Sequence, residues 1–241
     1  MEKDFYLSGK YYQQNQSYHA EDSSFKYNNI IKLLKKNNFE FSKINTVTEV
    51  GCGAGHILLN AKKSKIFKSG CKFEGYDTNP DAINIAKNID KDINFFNSDY
   101  LETSNSRSDL IFAADVFEHV ENPFNFLRKL KKKGKFFVFN IPLEISFLSM
   151  VRNKNIFENS FKKVGHLHFY NKRTAMLILK NCGFEIIDCD FAKNRFFELR
   201  NKSFFKRFLI YFPQYVFEKF NKNLSCSIFG GYSLVTLAKA S

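Results

Sequence analysis

The sequence has no tryptophan, only four prolines and no pair of cysteines in C-x-x-C spacing. Its five cysteines, Cys52, Cys71, Cys182, Cys189 and Cys226, are scattered and odd in number. That argues against a disulfide framework and against a cysteine-built zinc cluster. No stretch approaches the roughly 18 consecutive apolar residues that a membrane span needs. The opening MEKDFYLSGKYYQQ has no cationic segment followed by an apolar one, so a secretory leader is not expected and a cytoplasmic protein is. Internal repeats and low-complexity linkers are also missing. One sizeable domain over residues 1–241 follows as the expectation. Acids are scarce beside bases, 24 Asp and Glu against 37 Lys and Arg, for a formal net charge of +13. Such a surface attracts anions: a phosphorylated small molecule, a nucleotide sugar, nucleic acid or a membrane surface. Sign alone does not choose among them.

What is abundant is aromatic and periodic, with 30 Phe and 11 Tyr. YNNIIKLLKK puts Ile30, Ile31, Leu33 and Leu34 on one side of a helix, with Ser23 or Ser24 suited to cap it. NTVTEV, KFEGYD, INFFNSD, DLIFAAD, KFFVFNI, FEIIDCDF and YSLVTLA read as seven strands. HILLNAKKS, NPDAINIAKNI, NPFNFLRKLKKKG and NKRTAMLILKNCG read as intervening helices, two of them opening on Asn-Pro. The alternation predicts an α/β, doubly wound, mostly parallel seven-stranded sheet with helices on both faces. Ligands then bind beyond the carboxyl ends of the strands. Three parts stand outside the alternation. They are an N-terminal helical cap, 1–43, and two insertions on the substrate side, 142–170 and 192–231. In the second, aromatics interleave with Lys and Arg, and Pro213 is expected to break it into two pieces. A lid pair with a greasy underside, an anion clamp and a peripheral membrane contact all suit that composition.

The most informative stretch is TEVGCGAGHILL, Thr48 to Leu59. Glycine at a strand-to-helix turn lets the backbone adopt positive φ and approach a ligand closely. A dinucleotide-binding loop needs G-x-G-x-x-G. Here the spacing is G-x-G-x-G, and His56 stands at the third glycine position. Glu49 opens the loop two residues before Gly51. An acid there would repel a pyrophosphate and suits a cationic ligand.

Glu49, Gly51, Gly53 and Gly55 after a first strand resemble motif I of class I S-adenosylmethionine-dependent methyltransferases. The resemblance runs from about Ile44 to Ala238 and implies a Rossmann-like methyltransferase fold. It implies S-adenosylmethionine as cofactor and S-adenosylhomocysteine as product. Glu49 would lie near the methionine end, and Gly51, Cys52 and Gly53 would pass under the cofactor. Asp77, with Thr78 after it, would hold the ribose; a carboxylate is acceptor-only and suits a diol. Asp99 would face the adenine amine, with Tyr100 beside it. Ala114, Asp115 and Val116 of AADVFEHV would line the cofactor. An N-terminal aromatic, Tyr12 or Tyr18, would cover its methionine end. Asp115 and Glu118 also have the spacing of a capping box, and Glu118 reads mostly as that.

The acceptor side is read from histidines. His119 borders the reaction centre in similar ubiquinone-type O-methyltransferases, or it packs as a structural histidine on the exit of the fourth strand. In GHLHFY, an extended chain would place His166, His168 and Tyr170 on one face, towards a cleft. They would orient an anionic acceptor or act as a base, or else form a wet strand edge. H-x-H also suits a metal, but no third ligand adjoins it, so none is expected. His19, before the first helix, completes the candidates. The chain is similar to bacterial methyltransferases of surface-polysaccharide and antibiotic pathways. That implies O-methylation of an anionic small molecule, such as a sugar or phosphoramidate-type group of a capsule. A nucleic-acid methyltransferase is the first alternative, on charge; AADVF lacks the N/D-P-P-Y-like motif and no Pro-Cys occurs. A cofactor-binding module without turnover is the second. The sequence says nothing of oligomeric state.

Overall fold

The computed structural model describes residues 20–103, 107–152, 156–193 and 204–240. Tyr12, Tyr18 and His19 lie outside the described residues. The first helix, α1 (Ala20–Lys36), buries Ile30, Ile31, Leu33 and Leu34 as its spacing requires. It begins earlier than expected. Ser23 and Ser24 lie inside it, not at its cap, and Ser23 is buried. The reason is visible in the period: Ser23, Tyr27, Ile30 and Leu34 fall on one helical face, and all four are buried.

All seven expected strands form. They are β1 (Thr46–Val50), β2 (Lys72–Asp77), β3 (Asn94–Asn97), β4 (Ser108–Ala114), β5 (Gly134–Leu143), β6 (Phe184–Lys193) and β7 (Tyr232–Ala240). They join in one sheet in the order β3-β2-β1-β4-β5-β7-β6. The first five are mutually parallel, whereas β7 runs antiparallel to both β5 and β6. The helices between them are α2 (His56–Lys63), α3 (Pro80–Ile89), α4 (Pro123–Lys131), α5 (Phe147–Arg152), α6 (Ile156–Val164), α7 (Lys172–Asn181), α8 (Phe204–Phe220) and α9 (Lys222–Phe229). Asn79 and Asn122 cap α3 and α4 by accepting backbone N–H bonds, with proline next, where no N–H is needed.

Alternation along the central strands builds two apolar layers. Leu110 and Phe112 of β4 pack with α1, α2 and α3 residues such as Leu34, Leu58 and Ile83. Ile111 and Ala113 pack on the other face with Leu127 of α4 and Ile178 of α7. Both faces of the sheet are therefore covered, as the continuously apolar β4 implied.

Two local expectations fail. Pro213 does not divide its segment; it sits within α8. The break comes at Asn221, whose extended backbone and side chain, accepting from the Leu224 N–H, open α9. Nor is 166–170 a strand. Consecutive N–H groups of Leu167 and His168 both donate to the Glu118 carbonyl, at 2.9 and 3.1 Å. Successive N–H groups of a strand point to opposite edges, so this chain cannot alternate there. Only Tyr170 bridges to the sheet, through Leu143.

The direction of winding reverses between β1 and β4. Crevices open at such a switch point, beyond the carboxyl ends of the strands. Glu49, the glycine loop and Asp115 all belong to those ends.

Candidate active site

Beyond β1 the backbone turns through three left-handed glycines, Gly51, Gly53 and Gly55, with φ of +68°, +52° and +77°. They are bare for different reasons. A Cβ on Gly51 would meet Val116 Cγ2 at 2.7 Å, and one on Gly55 would run into the Phe95 ring. Those two are packing glycines. At Gly53 a Cβ would have nothing within 4 Å, so its face is open. The Gly53 N–H donates to Asp77 Oδ2 at 2.8 Å, tying the loop to the end of β2. Asp77 Oδ1 accepts from the Asn79 N–H. Burial pushes the Asp77 carboxyl up, and bonds from the Asn79, Gly53 and Thr78 backbone partly hold it down.

Glu49 is 2% exposed and its Oε2 has no hydrogen-bond partner. Burial drives its pKa well above the ordinary value; Lys26 opposes this and Asp77 adds to it. A buried carboxyl with an unused oxygen beside a bare loop is a costly arrangement unless a donor or cation comes to it. This fits the positive end of the expected cofactor. The Cys52 thiol is buried against Gly75, so only the backbone of this residue faces the open side of the loop. Thr78 and Asp99 are exposed at the ends of β2 and β3, and Asp99 Oδ1 accepts from the Leu101 N–H at 2.8 Å. Tyr100 is a correction. It is 1% exposed, its ring lies 4.8 Å from Tyr76, and its hydroxyl bonds Ser108 Oγ at 3.0 Å. It fills the core under the sheet's end and has no face towards a ligand.

At the end of β4, Ala114 is followed by Asp115, whose φ of +55° is unusual for a residue with a side chain. The strained backbone is held from three sides. The Asp115 N–H donates to the Asn140 carbonyl, Asn140 Nδ2 donates to Asp115 Oδ1 at 2.7 Å, and Lys26 Nζ reaches Oδ2 at 2.7 Å. Lys26 also pairs with Asp22 at 3.1 Å. Burial acts to lift the Asp115 pKa, but the charge and hydrogen bond of Lys26 and the Asn140 bond prevail, and the carboxyl is held below its usual range. For Lys26 burial acts downward, and its two carboxylate partners more than reverse it. The capping-box expectation fails here. Asp115 caps nothing, and residues 116–120 form turns, so Glu118 bonds no helix start.

Glu118 is instead fully buried with neither carboxylate oxygen partnered. Burial, then the neighbouring charge of Asp115 and also that of Glu144, force its pKa well up. His119 and His166 come beside it, their rings 4.7 Å apart. His119 Nδ1 bonds the carbonyl of Gly165 at 3.1 Å, a residue turned to φ +76°. His166 Nδ1 bonds Glu144 Oε2 at 2.7 Å, and Ser160 Oγ donates to Glu144 Oε1 at 2.6 Å. His168 has other partners, the backbone carbonyls of Val120 and Glu121. With Tyr170 it lines a separate groove beside Pro123 and Ile178. Tyr170 is a core residue, 6% exposed, and burial, with Glu118 nearby, pushes its phenol up. The expected row of His166, His168 and Tyr170 is thus replaced by a cluster of Glu118, His119, His166 and Glu144.

Sequence reasoning named Lys26 only among the polar residues of the N-terminal segment, and overlooked Asn140, Glu144 and the real setting of Glu118. Lys26 had a signal: it is a lysine next to Tyr27 and Ser23 on the apolar side of α1. Glu144 had none, because nothing marks the residue after a strand as facing a histidine 22 positions on.

The strand order, the acid-led glycine loop and the acid ending β2 define the class: a class I S-adenosylmethionine-dependent methyltransferase. The chain belongs to the methyltransferase-domain family, whose model matches residues 20–188. Solved structures share the fold. Magnesium protoporphyrin IX methyltransferase from Synechocystis PCC 6803, with bound cofactor, is 12% identical, with a TM-score of 0.58 over 99% of this chain and 95% of that one. An S-adenosylmethionine-dependent methyltransferase from Archaeoglobus fulgidus is 19% identical, with a TM-score of 0.56 over 90% and 97%. Phosphoethanolamine N-methyltransferase 2 from Haemonchus contortus, in complex with phosphomonomethylethanolamine and S-adenosylhomocysteine, is 16% identical, with a TM-score of 0.59 over 88% and 52%. No match was found among curated protein sequences. No helix among the described residues is long and apolar enough to cross a membrane.

Proposed function

We propose that the enzyme methylates an oxygen of an anionic small molecule, and that a sugar or phosphoramidate-type group of a bacterial capsule or surface polysaccharide is the class of acceptor. One observation carries the reading. Lys26 and Asp77 both act on the buried Glu49 of the glycine loop, and Lys26 also holds Asp115, at 2.7 Å, at the strand end that leads into the turn carrying Glu118 and His119. Lys26 would then link the donor seat to the acceptor-activating groups.

Glu49, Gly51, Cys52 through its backbone, Gly53, Asp77, Thr78 and Asp99 would hold the cofactor, with Ala114, Asp115 and Val116 as its wall. Tyr12, as a cover for the methionine end, and His19, as a catalytic candidate, remain part of the proposal. When bound, the cofactor supplies an electrophilic methyl group on a sulfonium. The chain's own residues must align an oxygen with it, exclude water and deal with the oxygen's proton. His119 and His166 are the groups for that task, and His168 is not. The net charge of +13 supports an anionic acceptor. So does the phosphorylated ligand of the Haemonchus contortus enzyme.

The test measures S-adenosylhomocysteine release against phosphorylated metabolites, nucleotide sugars and RNA. Turnover is expected on a phosphorylated or sugar acceptor; turnover on RNA alone would replace this reading. In parallel, Asp77→Ala should weaken S-adenosylmethionine binding at least tenfold by calorimetry. Unchanged affinity would remove Asp77 from the site.

A further inference from the structure

Glu118 is the least expected group in the molecule. A carboxylate without a partner in the interior is normally lost from a fold or neutralised. Here two further carboxyls, Asp115 and Glu144, act on it, while the nearby cation, Lys26, is already engaged by Asp115 and Asp22. Within a strongly basic chain this is a local concentration of carboxyls.

Two imidazoles complete it. Glu118, His119 and His166 each offer one ligating atom, and the three lie within 4.8 Å of one another. Tetrahedral zinc with bonds of about 2.0–2.1 Å would place its ligand atoms roughly 3.4 Å apart, so closure by little more than ~1 Å suffices. The tautomers are already set. A backbone carbonyl and a carboxylate only accept, so the protons of His119 and His166 sit on Nδ1, facing Gly165 and Glu144. In the neutral imidazoles, the form that binds a metal, the lone pairs are then on Nε2. A carboxylate or carbonyl behind each histidine is the usual support for a metal-bound imidazole. The Ser160 hydroxyl steadies Glu144 in turn.

We infer that Glu118, His119 and His166 bind one divalent transition-metal ion. Two nitrogens and one carboxylate oxygen suit Zn²⁺, Mn²⁺, Fe²⁺ or Co²⁺ better than Mg²⁺ or Ca²⁺, which prefer all-oxygen sites. The role of the ion rests on the function proposed above. An open coordination position would take the acceptor's hydroxyl oxygen and lower its pKa. With the ion bound, His119 and His166 act on that proton through the metal and not as bases, and the O–H bond breaks with its proton passing to solvent. The oxygen forms its bond to the methyl carbon as the carbon–sulfur bond breaks and a neutral thioether leaves. The favoured acceptors are hydroxyls with a second oxygen donor nearby, such as a vicinal diol or a hydroxyl beside a phosphate.

Tag-free full-length protein, stripped with chelator, is titrated with Co²⁺ and Zn²⁺. The expected result is one Co²⁺ per chain with visible d–d absorption, displaced by Zn²⁺. Glu118→Gln and His166→Ala should each weaken Zn²⁺ at least tenfold, and Glu144→Gln by a smaller factor, while His168→Ala retains it. No stoichiometric binding by the unaltered protein overturns the inference, as does binding that survives Glu118→Gln and His166→Ala in folded protein. If Glu118→Gln does not fold, the Co²⁺ spectrum and His166→Ala decide. S-adenosylmethionine affinity is measured on the same samples. Cofactor binding without metal binding sinks the ion alone; metal binding without cofactor binding sinks the functional reading and leaves the site.

Discussion

Gly53 and Gly55 are two residues apart and answer to different constraints. At Gly55 a methyl group would strike Phe95 in the core, and the left-handed backbone adds its own cost. Gly55→Ala should therefore lose about 2–4 kcal/mol of stability. At Gly53 only the backbone term applies, about 1–2 kcal/mol. Gly53→Ala should instead reduce cofactor affinity, because the added methyl occupies the open face. Urea unfolding and cofactor calorimetry on the pair check this; equal cofactor affinity for Gly53→Ala and the native chain would mean that the open face is not the seat. Much of that seat was legible from residues alone. Glu49, the glycine spacing and Asp77 stand at fixed distances along one strand-turn-helix-strand unit, where local sequence and local space coincide. The acceptor side was less so. Asp115 and Glu118 have the spacing of a helix cap, and only the turn at 116–120 and the unpartnered buried carboxyl separate the two meanings.

Among elements, the strands begin where one carboxylate collects them. Asp109, near the start of β4, accepts from the backbone and side chain of Asn45 before β1, at 2.8 and 3.0 Å, and from Lys135 of β5. Burial acts to raise its pKa, but the Lys135 and Asn45 bonds bring it down to about 2, from an ordinary 3.8. A depressed folded value means stability that is present above the unfolded pKa and lost as pH falls through the folded one. Asp109→Asn should cost about 2 kcal/mol at neutral pH. Denaturant midpoints for the two proteins should converge between about pH 4 and pH 2; a pH-independent gap would show that the carboxylate's charge is not what matters. The strands themselves were legible because β-branched runs of period two or unbroken apolarity need no distant information. GHLHFY alternates equally well and is no strand, because the Glu118 carbonyl, 49 and 50 positions before Leu167 and His168, claims both N–H groups. Pro213 misled for a related reason: proline removes one hydrogen bond, and a helix of 17 residues tolerates that.

At the scale of the molecule, a net charge of +13 surrounds a local excess of carboxyls at Glu118, Asp115 and Glu144. The outer field would draw the proposed anionic acceptor inward, and the inner carboxyls would suit the cation inferred above. Long-range attraction is screened at the Debye length of about 10 Å in 0.1 M salt. The acceptor KM should therefore rise several-fold between about 0.05 and 0.3 M salt, with the cofactor's affinity much less affected. A KM indifferent to salt in steady-state assays would argue for a neutral acceptor.

Strand β7 pairs on both sides, Phe136 with Lys239 and Phe184 with Ala240. It is the last strand in chain order and yet an interior one. During synthesis, β5 and β6 are made first and must wait with their facing edges unsatisfied. A nascent chain held at this stage displays two open, largely apolar strands, the form most prone to pair with a second copy. The vulnerable period in the life of this enzyme is thus on or just off the ribosome, before its final strand has been threaded between the two that wait for it.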